Sequence, residues 1–191
     1  MSQPRMKTVK GDGINIQTAH WPGRGPTVLA VHGLTANCRC WDVLAESLAP
    51  KYNVVALDLR GRGLSDKPET GYSLERHVAD IKGVIDAYGL SKVALMGHSL
   101  GAYIGLGFVD SHPELVDRLI LVDGGAQLSP EQWAKVGAGI KPSIDRLGQV
   151  FPSFEDYLNL VKQAPFLKNF GPALENYFRY ESEELPKGGV R

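Results

Sequence analysis

Apolar residues follow two patterns along the chain. Thr27-Val28-Leu29-Ala30-Val31, Val54-Val55-Ala56-Leu57, Val93-Ala94-Leu95-Met96 and Leu119-Ile120-Leu121-Val122 are short continuous runs. Such runs predict strands buried on both faces, as in parallel sheets. Between them the spacing becomes helical. Trp41, Leu44, Ala45 and Leu48 share one face of 40–49, and Leu74, Val78, Ile81 and Ile85 form a stripe along 74–88. A further helix over 100–111 ends near Pro113. Ahead of these units, residues 5–10 and 14–19 alternate around Gly11-Asp12-Gly13, a strong hairpin signal. The six strands and their intervening helices predict an α/β domain: a mostly parallel sheet with helices on both faces.

After Gly124-Gly125 no further apolar strand run occurs. Residues 130–139, 143–150, 154–163 and 172–181 read as short amphipathic helices separated by Pro142, Pro152 and Pro165. The expected division is therefore a core over 1–127 and a helical segment over 128–191. Phe151, Phe154, Tyr157, Phe166, Phe170, Tyr177 and Phe178 make this segment rich in aromatics. Packing of small helices accounts for them more simply than an apolar ligand does. The last residues, Pro186-Lys187-Gly188-Gly189-Val190-Arg191, read as a loop.

Composition narrows the function classes. Lys+Arg and Asp+Glu are both 21, and this balance argues against a nucleic-acid partner, which needs a clustered basic excess. No apolar run reaches membrane-spanning length, and Met1–Lys10 has no secretory h-region. Cys38 and Cys40 are the only cysteines. Two cysteines one residue apart rarely bridge, and no second pair completes a zinc site. Free thiols, a cytoplasmic location, no metal, no cofactor and no membrane association are expected.

The chemistry-bearing motif is Gly97-His98-Ser99-Leu100-Gly101, a Gly-x-Ser-x-Gly between a predicted buried strand and a predicted helix. That is the context in which the motif forms a nucleophile elbow. The serine occupies a strained turn, and glycines two positions away on either side remove the collisions the turn would cause. Ser99 also falls at a helix N-terminus, whose free N–H groups favour developing negative charge. With such an elbow, the oxyanion hole takes one N–H from the residue after the nucleophile and one from the loop after an earlier strand. Here these are the backbone N–H groups of Leu100 and Leu34. His32 is expected to be a hydrogen-bonded turn residue supporting that loop, and not a base.

These motifs, together with Val31-His32-Gly33, the stretch Asp58–Asp66, His112-Pro113 and Leu121-Val122-Asp123, resemble the α/β-hydrolase superfamily, in the branch with a helical cap. The resemblance spans most of residues 27–125. It implies that 128–191 is part of a cap, and that the reaction is hydrolysis of a small carboxylic ester or related acyl compound through an acyl-enzyme on Ser99. Carbon–carbon bond hydrolysis or perhydrolysis would use the same serine, and a non-catalytic receptor would keep only the pocket. Epoxide and haloalkane hydrolases are disfavoured, because those relatives carry aspartate where Ser99 stands.

One departure matters. The family takes its catalytic histidine after the last strand of the sheet, yet His20, His32, His77, His98 and His112 all precede or barely follow the elbow. Asp123 is the only candidate acid, and an aspartate at that position more commonly bonds backbone N–H groups. The fold is therefore expected to be incomplete. Its partners would be a small-molecule substrate and a C-terminal segment of the same protein that supplies the histidine. Asp58 and Arg60 are expected to brace the site from a hydrogen-bonded loop.

Overall fold

The computed structural model describes residues 3–164, 167 and 169–191, and the chain divides after Ala126 into two compact units. In the first, the hairpin strands β1 (Arg5–Lys10) and β2 (Asn15–Trp21) pair antiparallel, with Arg5 opposite His20 and Lys10 opposite Asn15. The remaining strands are β3 (Thr27–Val31), β4 (Asn53–Leu57), β5 (Val93–His98) and β6 (Val116–Val122). Sheet order is β1-β2-β4-β3-β5-β6, with β2 antiparallel to β4 and all later pairs parallel. The mostly parallel α/β sheet is as expected.

Burial explains which runs became strands. Leu29, Val31, Val55, Leu57 and Leu95 lie in the sheet interior with essentially no exposure. Three helices accompany them: α1 (Asp42–Leu48), α2 (Leu74–Ala87) and α3 (Leu100–Ser111). Ile81, Val84 and Ile85 of α2 and Ile104 and Phe108 of α3 close one hydrophobic core with the central strands. Each such side chain removed from water contributes about 1.5–3 kcal/mol. The face expected for 40–49 is only partly right. Trp41 belongs to a 3-10 turn over Cys38–Trp41, the helical phase restarts at Asp42, and Leu44 is exposed.

Strand β6 differs from its neighbours. Ile120, Leu121 and Val122 are all exposed although the run is as apolar as β5. Among the described residues β6 pairs only with β5, so its other edge is open.

The second unit is helical: α4 (Pro130–Arg146), α5 (Phe154–Val161) and α6 (Pro172–Glu181). The expected break at Pro142 does not occur, and α4 runs through it. An interior proline forfeits one ladder bond and costs about 3 kcal/mol. Opposing this are a capping box, in which Ser129 and Gln132 satisfy each other's backbone N–H groups, and a Lys141–Asp145 pair spanning the proline. Residues 147–150 are not helical, and Gly148 is left-handed at φ 79°. Pro165 and Phe166 lie outside the described residues.

The loop expected at 186–191 is present as turns and bends over 186–189, and its end is pinned by paired backbone hydrogen bonds. Val190 and Phe151 exchange backbone hydrogen bonds at 2.8 and 2.9 Å, and Glu183 and Arg191 do the same at 2.7 and 2.9 Å. Val190 is buried with Tyr157, Leu158, Val161 and Phe178, against Phe151, Phe154, Phe170 and Tyr177. The aromatics that are described thus form this unit's core. Arg146 stacks over Tyr157 and Phe178 and meets Glu181 at 2.8 Å, and the Tyr157 hydroxyl donates to the same carboxylate oxygen. No helix among the described residues is long and apolar enough to cross a membrane.

Candidate active site

Ser99 stands between the end of β5 and the start of α3 with φ 52° and ψ −117°. A non-glycine residue there carries backbone strain of about 1–3 kcal/mol. The surroundings enforce it. A Cβ on Gly97 would run into the Gly101 carbonyl, and one on Gly101 would run into the carbonyl oxygens of Val31 and His32. Strand β5, the first turn of α3 and the end of β3 therefore meet with no room for side chains at the two glycines. The Ser99 N–H donates to the Val122 carbonyl at 2.9 Å, which ties the turn to β6.

Two loops press on the serine. A Cβ on Gly33 would lie 3.0 Å from His98 Nδ1 and 3.2 Å from Ser99 Cβ, so the turn after β3 passes directly over the elbow. On the other side, a Cβ on Gly124 would lie 2.6 Å from the Ser99 carbonyl oxygen. Gly124 marks a close approach that the sequence signalled only as part of a Gly-Gly break. Leu34 follows Gly33 in the first loop and is exposed. Leu100 is the first residue of α3, where an α-helix leaves its N–H groups unpaired within the helix.

The loop after β3 is held from below. His32 is fully buried. Its Nε2 accepts the Leu59 N–H at 3.0 Å, so the ring proton sits on Nδ1, which donates to the Gly33 carbonyl at 2.7 Å. Burial, partly opposed by the nearby Asp58 carboxylate, holds the imidazole down to about 4. His32 is thus a neutral brace. The Asp58 carboxylate accepts the N–H groups of Cys38 at 2.7 Å and Leu64 at 2.9 Å. Arg62 reaches the Thr35 and Ala36 carbonyls at 3.1 and 3.3 Å. Arg60 forms a buried two-point pair with Asp80 of α2 and donates to the Gly71 carbonyl. The bracing expected of Asp58 is present, whereas Arg60 ties its own loop to α2 and makes none of these hydrogen bonds to the elbow or to the turn after β3. Asp80, Gly71 and the Arg62 contacts were not singled out from the sequence.

The remaining histidines are placed elsewhere. His20 on β2 donates to Asn53, and His77 on α2 is buried, with a pKa lowered by burial and by Arg60. His112 packs on Phe108 at the far end of α3, and His98 points toward the Gly33 turn. No hydrogen bond joins the Ser99 hydroxyl to a histidine among the described residues. Asp123 follows β6 with φ 48°, and its side chain is exposed. The backbone N–H bonds expected of its carboxylate have no counterpart among the described hydrogen bonds. Cys38 and Cys40 are unbridged. No group of three His, Cys, Asp or Glu side chains that could hold a metal exists among the described residues.

An α/β sheet with a strained serine between strand and helix defines a family, and the chain belongs to it: the alpha/beta hydrolase fold family matches residues 26–181. The chain is 38% identical over 170 residues to an uncharacterised protein of Mycobacterium tuberculosis, covering 86% of this chain and 50% of that one. It is 36% identical over 121 residues to 2-(acetamidomethylene)succinate hydrolase of Mesorhizobium japonicum, covering 61% of this chain and 44% of that protein. The crystal structure of an E-2-(acetamidomethylene)succinate hydrolase superposes with a TM-score of 0.84 at 26% identity, covering 98% of this chain and 68% of that one. The chain spans about half the length of the curated relatives it matches.

Proposed function

We propose that this chain carries the nucleophile half of a serine hydrolase that cleaves a small carboxylic ester or related acyl compound. The observation that carries the reading is the backbone of Ser99, held at φ 52° in the strand-to-helix turn by two glycines that admit no side chain. The Ser99 hydroxyl attacks the substrate carbonyl carbon, and its proton passes to a histidine. The carbonyl oxygen becomes an oxyanion that accepts hydrogen bonds from the Leu34 and Leu100 N–H groups. Collapse expels the alcohol or amine, which takes the proton, and leaves an acyl group on Ser99. Water, deprotonated by the same histidine, then releases the acid. A relative named for a substrate with an acetamido group supports acyl chemistry.

The histidine belongs to a C-terminal segment of the same polypeptide, which also covers the open edge of β6. Support comes from the exposed apolar run Ile120-Leu121-Val122 and from relatives about twice the length of this chain. We assign residues 128–191 to part of a helical cap, in keeping with their three helices. Asp123 is the one acid this chain offers to the histidine. Its left-handed backbone gives it a conformational role instead, and we assign it that role. The unbridged thiols of Cys38 and Cys40 favour a cytoplasmic setting.

The test is covalent labelling of the full-length polypeptide with a fluorophosphonate, followed by peptide mapping. Label on Ser99 alone is expected, and Ser99→Ala should reduce ester turnover by several orders of magnitude with the fold intact. An unlabelled Ser99 in a folded protein that still binds small acyl compounds would make it a receptor.

A further inference from the structure

We infer that Tyr103 is a positioning residue that latches the strap 123–126 onto the helix of the nucleophile, and that through this strap it helps select the acyl groups that bind. The inference rests on the acyl-enzyme and cap readings above. The strap leads out of β6, and the second unit begins directly after it, at Gln127. It belongs to no helix or strand. Two of its residues are left-handed, Asp123 at φ 48° and Gly125 at φ 90°. Positions of this kind, at the end of an element, are where a hinge absorbs its change of backbone angle.

Both ends of the strap are bonded to the elbow and its helix. Just before it, the Val122 carbonyl accepts the Ser99 N–H at 2.9 Å, and at its end the Ala126 carbonyl accepts the Tyr103 hydroxyl at 2.7 Å. Tyr103 lies on α3 about one helical turn beyond Ser99. Between the two bonds Gly124 presses on the elbow: a Cβ there would meet the Ser99 carbonyl oxygen at 2.6 Å and Ala102 Cβ at 3.1 Å. The bonds differ in what must move to break them. The Ser99 N–H is fixed in the strained turn that Gly97 and Gly101 enforce. The Tyr103 bond is a single neutral contact from a half-buried side chain to exposed Ala126, and it can open alone. The strap therefore releases first at Ala126. One hydrogen bond of this kind shifts such an equilibrium roughly 2- to 10-fold. Release lowers the fraction of molecules in the binding-competent arrangement and weakens apparent affinity by the same factor. Under the cap reading a long acyl chain draws on the second unit for binding, and an acetyl group does not.

The experiment compares wild type, Ser99→Ala and Tyr103→Phe in the full-length polypeptide. Phenylalanine keeps the ring and removes only the hydroxyl. Limited elastase digestion with mass mapping reads the strap, because cleavage of a transiently opened segment follows its open population. Cleavage within 122–127 should speed up roughly 2- to 10-fold in Tyr103→Phe, with cleavage elsewhere as in wild type. In parallel, KM for p-nitrophenyl octanoate should rise by the same factor, with kcat and the kinetics of p-nitrophenyl acetate nearly unchanged. A general loss of stability would instead move both esters and all cleavage sites together. Unchanged cleavage in the strap overturns the latch. Faster cleavage there with both esters affected alike, or with neither affected, overturns the positioning role while the acyl-enzyme reading stands. If Ser99→Ala keeps its activity, the acyl-enzyme reading fails, and the digestion still decides the latch by itself.

Discussion

Strands β5 and β6 are parallel neighbours of nearly equal apolar character, yet Leu95 is fully buried and Leu121 is 41% exposed. Both strands end at the elbow. β5 runs into Ser99, and β6 accepts its N–H through the Val122 carbonyl. The serine is therefore held on one side by a packed strand and on the other by one whose apolar side chains have little to pack against. The difference separates two meanings of an apolar run. In β5 the pattern describes contacts that this chain makes. In β6 it describes contacts for which the described residues supply no partner, and the proposed C-terminal segment would supply it.

Paired truncations test that comparison most strongly. Leu95→Ala should cost about 2–5 kcal/mol in urea unfolding, the range for a large-to-small change in a packed core. With the segment in place on β6, Leu121→Ala in the full-length polypeptide should fall in the same range. A cost for Leu121→Ala within about 0.5 kcal/mol, the range of ordinary surface changes, would break the proposal that β6 is covered.

Next in size is the pH dependence carried by the brace under the β3 loop. Folding holds His32 at about 4, below its ordinary value of 6.5, because burial penalises the imidazolium. Between those values the unfolded chain binds a proton that the folded chain refuses. Stability is therefore complete above 6.5 and declines as pH falls toward 4, by roughly 3 kcal/mol in all. His77, shifted in the same direction, adds to the slope. Unfolding curves from pH 7 to pH 4 should show this decline and a shallower one in His32→Gln. Equal slopes would mean that His32 titrates normally, and so is not buried in the way described.

Legibility in the sequence follows how local each determinant is. The strands β3, β4 and β5 could be read because burial on both faces leaves an uninterrupted apolar run. The elbow could be read because its steric demand falls on residues two positions either side of Ser99. The continuation of α4 through Pro142 could not, because the local rule for proline was outweighed by a capping box ten or more residues upstream and a side-chain pair across the proline. The pairing of Val190 with Phe151 was invisible for another reason: neither short segment alternates, and the partner lies far away in the chain. Arg60 is legible as a charge in a hydrogen-bonded loop, but its partner Asp80 is 20 residues on and on the buried side of α2.

The smallest effect concerns Asp123, at the end of the poorly covered strand. Its φ of 48° lies in the left-handed region, which costs an ordinary residue roughly 1–2 kcal/mol, whereas Asn and Asp visit it more readily. Gly124 then turns against the Ser99 backbone. The physical demand at 123 is thus on the backbone, and the exposed carboxylate answers no N–H among the described residues. Asp123→Asn should leave stability nearly unchanged and lower ester turnover less than about tenfold, while Asp123→Ala should cost about 1 kcal/mol in urea unfolding. The two substitutions separate conformation from charge, since Asn keeps the first and removes the second. A loss on the order of 10⁴-fold in kcat for Asp123→Asn, the size seen when a triad acid is neutralised, would show the carboxylate orienting the catalytic histidine. It would also place the acid on β6, and so make the open strand as much a part of the chemistry as β5.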